Sequence, residues 1–560
     1  MKKKVFAVLA AFPLEVMTVR MASILMVMSL SVTAASQPES QPDRSSKQMP
    51  VIVNMAADGV VNFIYHDFVR KGTNSSVALA AIDKEVDQYQ GIGVSHLFWN
   101  VNYQRVGYNS AVWPSYWDVP DPEKQVTEWP RAYYMLHKIG IDDIFARLIP
   151  RTREKGMSPW VSLRMNDHHY FNNPSRISPL LLNHPELRTN KGNGLFNYAK
   201  PEVREHYLNL IAEVLQRYDI DGVELDWIRT PNNFEANELD QGRVLLTGFV
   251  REAHKLTQAA AQRLGHPVRL AVRVPATPEF AYGKGFDTVA WAQEGLVDMI
   301  IPSDWWSGFN SDMPVEVWRD QIGPRGKNCQ IVPGTAGTYS CIPKGYQMMH
   351  SLPAMRGFAA AMYDRGADGI YLFNHFHAVS DVLRLRTPEG KSSPVFTLGE
   401  LLHAAGDRAA AVSQPRVHAL TLHDCVPTQT DYRPALPAII KPQQPVTLKL
   451  HTGPQPSAGR CTLSIGLAQS EDLSAAKLEV RLNGQVCRAL ADQPLPAKPD
   501  PKKDNPRRHV CEVAPRVLQF EVPIEAVIRG YNAIELSVLQ GGPQTVVWLE
   551  AAIDPSAQQR

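Results

Sequence analysis

Eight short apolar runs, each followed by a polar loop and an amphipathic stretch, constrain this chain more than any other feature. They read as strands at 51–57 (VIVNMAA), 95–102 (SHLFWNVN), 160–167 (WVSLRMND), 222–227 (GVELDW), 269–275 (RLAVRVP), 298–305 (DMIIPSDW), 330–335 (QIVPGT) and 369–375 (GIYLFNH). Between them lie helical patterns such as PEVREHYLNLIAEVLQRY, with apolar residues three and four apart. Another, GRVLLTGFVREAHKLTQAAAQRLG, ends on Gly265, which suits a helix C-cap. Eight such alternations predict an α/β fold, a closed (β/α)8 TIM barrel over 50–405. That span exceeds the usual barrel length, and the excess falls in loops after strands, where barrels build active sites.

From 415 to 555 the rhythm changes to short alternating runs, among them VTLKLHT, CTLSIGLA, LEVRLNGQVC, VLQFEVP, NAIELSVL and TVVWLEA, separated by Pro, Gly and Asn turns. This pattern predicts a smaller antiparallel β-sandwich, jelly-roll-like, with LPAKPDPKKDNPRR as a solvated loop inside it. A length of 560 residues accommodates both units.

Residues 1–35 read as an export signal, with Lys2–Lys4 ahead of apolar runs and small residues at Ala34 and Ala35, followed by a polar spacer at 36–49. Met21 is an alternative start. Glu15 and Arg20 interrupt the apolar stretch, so no stable membrane anchor is expected, and the mature protein is expected in the periplasm or outside the cell. Six cysteines suit that compartment; none has C-x-x-C spacing, and structural disulfides are expected. With 58 basic against 56 acidic residues, the balance gives no reason to expect nucleic acid as a partner. The oligomeric state is not legible.

The fourth run carries two acids where a buried strand should be apolar. Side chains alternate across a strand, so Val223 and Leu225 face the helices while Gly222, Glu224 and Asp226 point into the barrel. Asp226 then stands at the C-terminal mouth, with Glu224 roughly 7 Å deeper. The same alternation sends Arg164 and Asn166 inward from the third run, Arg273 from the fifth, and Asn100 and Asn102 from the second. A buried carboxylate needs a partner or a task, so Glu224 is expected to be held ionised by Arg164 or Arg273. Asp304 ends the sixth run beside Trp305 and Trp306, two strands from Asp226. Adjacent strands lie about 4.8 Å apart, which brings the two acids within reach of one glycosidic bond. Asp226 and Asp304 are therefore the candidate catalytic pair, one protonating the leaving oxygen and the other attacking the sugar or activating water. Glu279 is the reserve acid.

The run YDIDGVELDWIR, with YAKPEVREHYLNLIAEVLQR and VSLRMNDHH before it, resembles the bacterial glycosyl hydrolase-like 10 family, exported barrels with an appended sandwich. That resemblance implies a glycosidase acting on a polysaccharide or cell-envelope glycan. The acidic spacing also resembles the family 18 chitinase signature in part, with Asp221, Glu224 and Asp226 in its upstream positions. Ile228 stands where that family's acid glutamate belongs, which argues against the chitinase mechanism. Acids after strands four and six are similar to the retaining α-galactosidase and α-glucosidase clan, and the likeness implies Asp226 as nucleophile and Asp304 as acid/base.

Donors and acceptors gathered at the mouth suit polyol recognition: Asn100, Asn102, Arg164, Asn166, Asp167, His168, Glu224, Arg229, Arg273, Trp305, Asn374 and His375. Trp99 reads as core, while Trp113 and Trp117 lie on the long loop after the second run and suit either packing or a subsite. No cofactor and no metal are expected, because the His375/His377 pair falls on the eighth run and the first run has no histidine. Two rivals stay open: a carbohydrate-binding barrel without catalysis, and a metal-dependent hydrolase.

Overall fold

The computed structural model describes residues 48–56, 61, 64, 74–124, 128–167, 173, 175–189, 195–304, 309–336, 338–339, 348–349, 351–373, 384–386, 392–394, 397–421, 434–491 and 514–557. The export signal and the loop at 495–508 therefore lie outside the described residues, as does the spacer up to residue 47. The barrel and the C-terminal sheets belong to the unit that begins at Ser45.

All eight runs form parallel staves: β1 (Val51–Met55), β2 (His96–Asn100), β3 (Ser158–Arg164), β4 (Gly222–Asp226), β5 (Arg269–Pro275), β6 (Met299–Ser303), a seventh split into β7 (Gln330–Ile331) and β8 (Gly334–Thr335), and β11 (Ile370–Phe373). β7 pairs with β6, β8 pairs with β6 and β11, and β11 returns to β1, which closes the barrel. Between β8 and β11 sits a small antiparallel pair, β9 (Thr338–Tyr339) and β10 (Met348–Met349). A second such pair, β12 (Arg384–Arg386) with β13 (Ser392–Pro394), comes after β11.

The helices form where the sequence periodicity requires. Pro201–Arg217 starts with proline, whose missing N–H is no loss in a first turn, and buries Val203, Tyr207, Leu210, Ile211 and Val214. Leu239–Leu264 ends on Gly265 at φ 76°, the left-handed conformation that only glycine adopts without cost.

Inside the barrel, Ile52, Phe98, Trp160, Ala271, Met299, Ile301, Val332 and Tyr371 pack together in one buried cluster. Phe98 stacks on Trp160 at 4.7 Å between ring centroids. The indole occupies the space that a side chain at Gly222 would fill, since a Cβ there would meet the Trp160 ring at 2.4 Å. So the glycine that opens β4 is the complement of the tryptophan on β3.

The C-terminal region is two antiparallel sheets. One runs β14 (Arg416–Ala419), β23 (Gln544–Asp554), β17 (Arg460–Leu467), β21 (Arg516–Val522) and β20 (Arg488–Ala489), with β15 (Ala438–Ile440) also on β23. The other runs β16 (Val446–His451), β22 (Tyr531–Gln540), β18 (Lys477–Leu482) and β19 (Gln485–Val486). Alternation places Leu463, Ile465, Leu549 and Ala551 of the first with Leu448, Val480, Ile534 and Leu536 of the second in the buried core. Cys329, Cys461 and Cys487 are buried free thiols, not the bridged cysteines expected; Cys341, Cys425 and Cys511 lie outside the described residues.

Candidate active site

Two residues above the aromatic layer, the inward positions become polar. Ser162 on β3 stands level with Glu224 on β4, while Arg164 on β3 and Arg273 on β5 flank Asp226. All five are buried.

Asp226 is paired with Arg273, whose Nη1 lies 3.1 Å from Oδ1 and 3.2 Å from Oδ2. The Ile228 N–H donates to the same Oδ1 at 3.0 Å. Arg273 also donates from Nε to Ser303 Oγ at 3.1 Å and lies 3.7 Å from the centroid of the Phe373 ring. Arg164 turns to a different acid: its Nη1 donates to Asp167 Oδ2 at 2.9 Å, with its guanidinium over the Tyr103 ring. Arg229 Nε approaches that same Asp167 oxygen at 3.5 Å. Burial first, and then the neighbouring Arg164 charge, push the Arg229 guanidinium down to about 10.

Glu224 is not ion-paired as the sequence suggests. Each arginine has a nearer carboxylate, Asp167 for Arg164 and Asp226 for Arg273. Glu224 instead accepts from Asn54 Nδ2 at 3.2 Å, across the barrel, and the Ser162 and Tyr371 hydroxyls lie close without completing a hydrogen bond. Burial, then the nearby Asp226 charge, push its carboxyl up to about 7.

Asp304 is buried, and its Oδ1 accepts from Asn310 Nδ2 at 3.3 Å. Alternation along β6 sends Ile301 and then Ser303 inward, so the residue that meets Arg273 is Ser303; Asp304 stands one position beyond it, where the loop begins. Glu279, the reserve acid, is exposed in the first turn of the helix Pro278–Gly283.

Of the other expected contacts, Asn102 spends its amide on backbone: Nδ2 donates to the carbonyls of Tyr103 and Arg164, and Oδ1 accepts from the Arg164 N–H. Asn166 likewise ties its loop to Phe196 and Asn233. Asn100 donates to the Ser162 carbonyl at 3.2 Å. Trp99 is core, its indole N–H on Thr152, and Trp113 is buried against His206. Trp117 stacks on His137. His168, Trp305, Asn374 and His375 lie outside the described residues. Asn54, Ser162, Ser303 and Tyr371 are not among the expected site residues, although alternation along their own strands points each of them inward.

Among the described residues, Asn54 Oδ1, Asn100 Oδ1, Ser162 Oγ, Glu224 Oε1 and Tyr371 OH complete no hydrogen bond. A buried polar atom left so costs about 1–3 kcal/mol, which makes this level of the barrel suited to the hydroxyls of a ligand. A groove of about 800 Å³ elsewhere, lined by Leu79, Ile139, Asp143, Arg147 and Arg217, contains none of these residues. Among the described residues there is no group of three His, Cys, Asp or Glu able to hold a metal ion, and no helix long and apolar enough to cross a membrane.

No family model matches the chain. In an alignment of 301 residues that covers 44% of this chain, it is 23% identical to the glycosyl hydrolase DigH of Escherichia coli K12, and by the same figures to that of Shigella flexneri. The match spans 63% of the length of those relatives. The likeness is to a glycosyl hydrolase and does not single out the glycosyl hydrolase-like 10 family. Among solved structures, the endo-beta-1,4-mannanase from Thermotoga petrophila is 11% identical, with 90% of this chain and 98% of that chain covered and a TM-score of 0.38. The PgaB (BpsB) glycoside hydrolase domain from Bordetella bronchiseptica is 10% identical, covering 60% of this chain and 98% of that one, with a TM-score of 0.34. Scores this low carry no argument about substrate or chemistry.

Proposed function

We propose that this chain is an exported glycoside hydrolase acting on a polysaccharide or cell-envelope glycan at the C-terminal mouth of the barrel, with 50–405 as the catalytic unit and 415–555 as an accessory one. The observation that carries the reading is the pair of neighbouring inward carboxylates on β4. Asp226 is matched to Arg273, whereas Glu224 is pushed up to about 7 among polar atoms with unused bonding capacity. A carboxylate matched to an arginine suits the nucleophile or base of glycosidic-bond cleavage, and buried polar atoms beside it suit the hydroxyls of a sugar. The sequence likeness to a glycosyl hydrolase points the same way.

In this reading Asp226 attacks the anomeric carbon or activates water, and Asp304 protonates the leaving oxygen. Arg164, Asp167 and Arg229 shape the rim, Asn100 and Glu224 meet sugar hydroxyls, and His168, Trp305, Asn374 and His375 are further ligand contacts. A screen of the purified protein against a glycan panel, run beside Asp226→Asn, tests the proposal. Hydrolysis by the wild type that is lost in the variant while glycan binding stays is the expected result. Binding without hydrolysis in the wild type would establish the rival, a carbohydrate-binding barrel.

A further inference from the structure

The loop that follows β6 touches Asp304 on one side and the C-terminal sheets on the other. Asn310 donates from Nδ2 to Asp304 Oδ1 at 3.3 Å, while its own Oδ1 accepts from the Asp312 N–H at 2.8 Å, which sets the amide's orientation. Ser311 is buried and tied to the chain at and beyond β14. Its N–H donates to Thr421 Oγ1 at 3.0 Å, and its hydroxyl donates to the Ala419 carbonyl at 2.5 Å. Asp312 then accepts from the Tyr531 hydroxyl of β22 at 2.7 Å and from Arg365, whose Nη1 also donates to the Met313 carbonyl at 2.9 Å. The same junction is tight elsewhere. Gly357, on the helix Leu352–Asp364, lies so near β14 that a Cβ would stand 1.9 Å from the Val417 carbonyl oxygen.

From this geometry we infer that the C-terminal sheets position the Asp304 carboxylate, with Thr421 and Tyr531 as positioning residues acting through Ser311, Asp312 and Asn310. The inference rests on the catalytic role proposed for Asp304. A carboxylate that must meet a leaving oxygen has to be held within about half an ångström, and a loop holds a side chain that well only when its backbone is fixed. Here three consecutive residues, Asn310, Ser311 and Asp312, are each bonded to a neighbour, and two of them are bonded to the C-terminal region. Neither Thr421 nor Tyr531 is within the barrel, so their effect on the reaction passes through the loop.

The test uses the full-length chain as Thr421→Val, Tyr531→Phe and the double variant, with Asp304→Asn alongside. Each substitution removes a hydroxyl bonded to the loop and keeps the bulk. Two readouts apply: amide hydrogen exchange across 309–313, and kcat and KM against pH on a glycan that the wild type hydrolyses. Exchange should quicken, kcat of the double variant should fall about 10- to 100-fold with KM within about two-fold, and the basic limb of the pH profile should shift. Unchanged exchange would overturn the inference. So would faster exchange with kcat and pH profile unaltered while Asp304→Asn is inactive, a result that leaves the role of Asp304 standing. A fully active Asp304→Asn would remove that role, and the inference with it, whatever the exchange shows.

Discussion

Along four adjacent staves the barrel interior changes character within two residues: Ile52 gives way to Asn54, Phe98 to Asn100, Trp160 to Ser162, and Gly222 to Glu224. The lower set is an interlocked apolar plug, whereas the upper set is polar, buried and only partly bonded. The difference separates two tasks. Closing the barrel is the work of the plug, where dispersion and exclusion of water act without regard to charge. The upper level is a place where buried polarity is kept despite its cost, and a cost of that kind is expected where a ligand supplies the missing partners.

The sharpest way to break this division is Asp226→Asn, which should lower hydrolysis about 100- to 10,000-fold in a steady-state assay. Next comes a matched pair. Arg273→Met strands the buried Asp226 carboxylate and should cost about 3–5 kcal/mol in urea unfolding. Trp160→Ala should cost a similar amount, about 3–5 kcal/mol, by opening a cavity in the plug. The two part in activity, since the folded fraction of Trp160→Ala should keep its kcat and that of Arg273→Met should not. A smaller effect tests the plug from its other side: Gly222→Ala drives a methyl into the Trp160 ring and should cost about 1–3 kcal/mol in the same measurement.

The smallest effect is on pH dependence. The folded chain holds the Glu224 proton up to about 7, whereas an unfolded chain releases it near the ordinary glutamate value. The folded state therefore binds more protons in that window, and stability should fall as pH rises from about 4.5 to 7 and level off above it. Glu550, half-buried in the C-terminal sheets and pushed up to about 7 by desolvation, adds to the same slope. Urea midpoints across this range should fall less steeply for Glu224→Gln than for the wild type, because one of the two groups is gone.

The staves themselves are legible in the sequence because apolar alternation and intervening helical periodicity repeat eight times, and a closed parallel barrel is the architecture that buries them all. Which side chains face inward on β4 is legible for the same reason. Partner choice is not. Alternation says that Arg164 points into the barrel, but a long guanidinium chain also reaches along the axis, and it is Asp167 on its own loop that captures it. The sixth stave shows the opposite case. Its alternation, followed one step further, selects Ser303 over Asp304 as the inward group, and that signal is present in the letters Met299 to Asp304. The tie from Tyr531 and Thr421 to the β6 loop has no local signature at all, since it joins residues more than a hundred positions apart.

The split seventh stave has a mechanical consequence. Beside β6 it offers register only at Gln330, Ile331 and Gly334, and Pro302 and Pro333, one on each side, contribute no N–H. Like the stitched edge of a barrel made from a flat sheet, this stave is held by the fewest threads, three pairs on β6 and two on β11, and should part before the others when the cylinder breathes. It lies just below the loop that begins at Asp304, so the earliest local opening of the wall should register beside that carboxylate and leave the opposite wall at β2 and β3 intact.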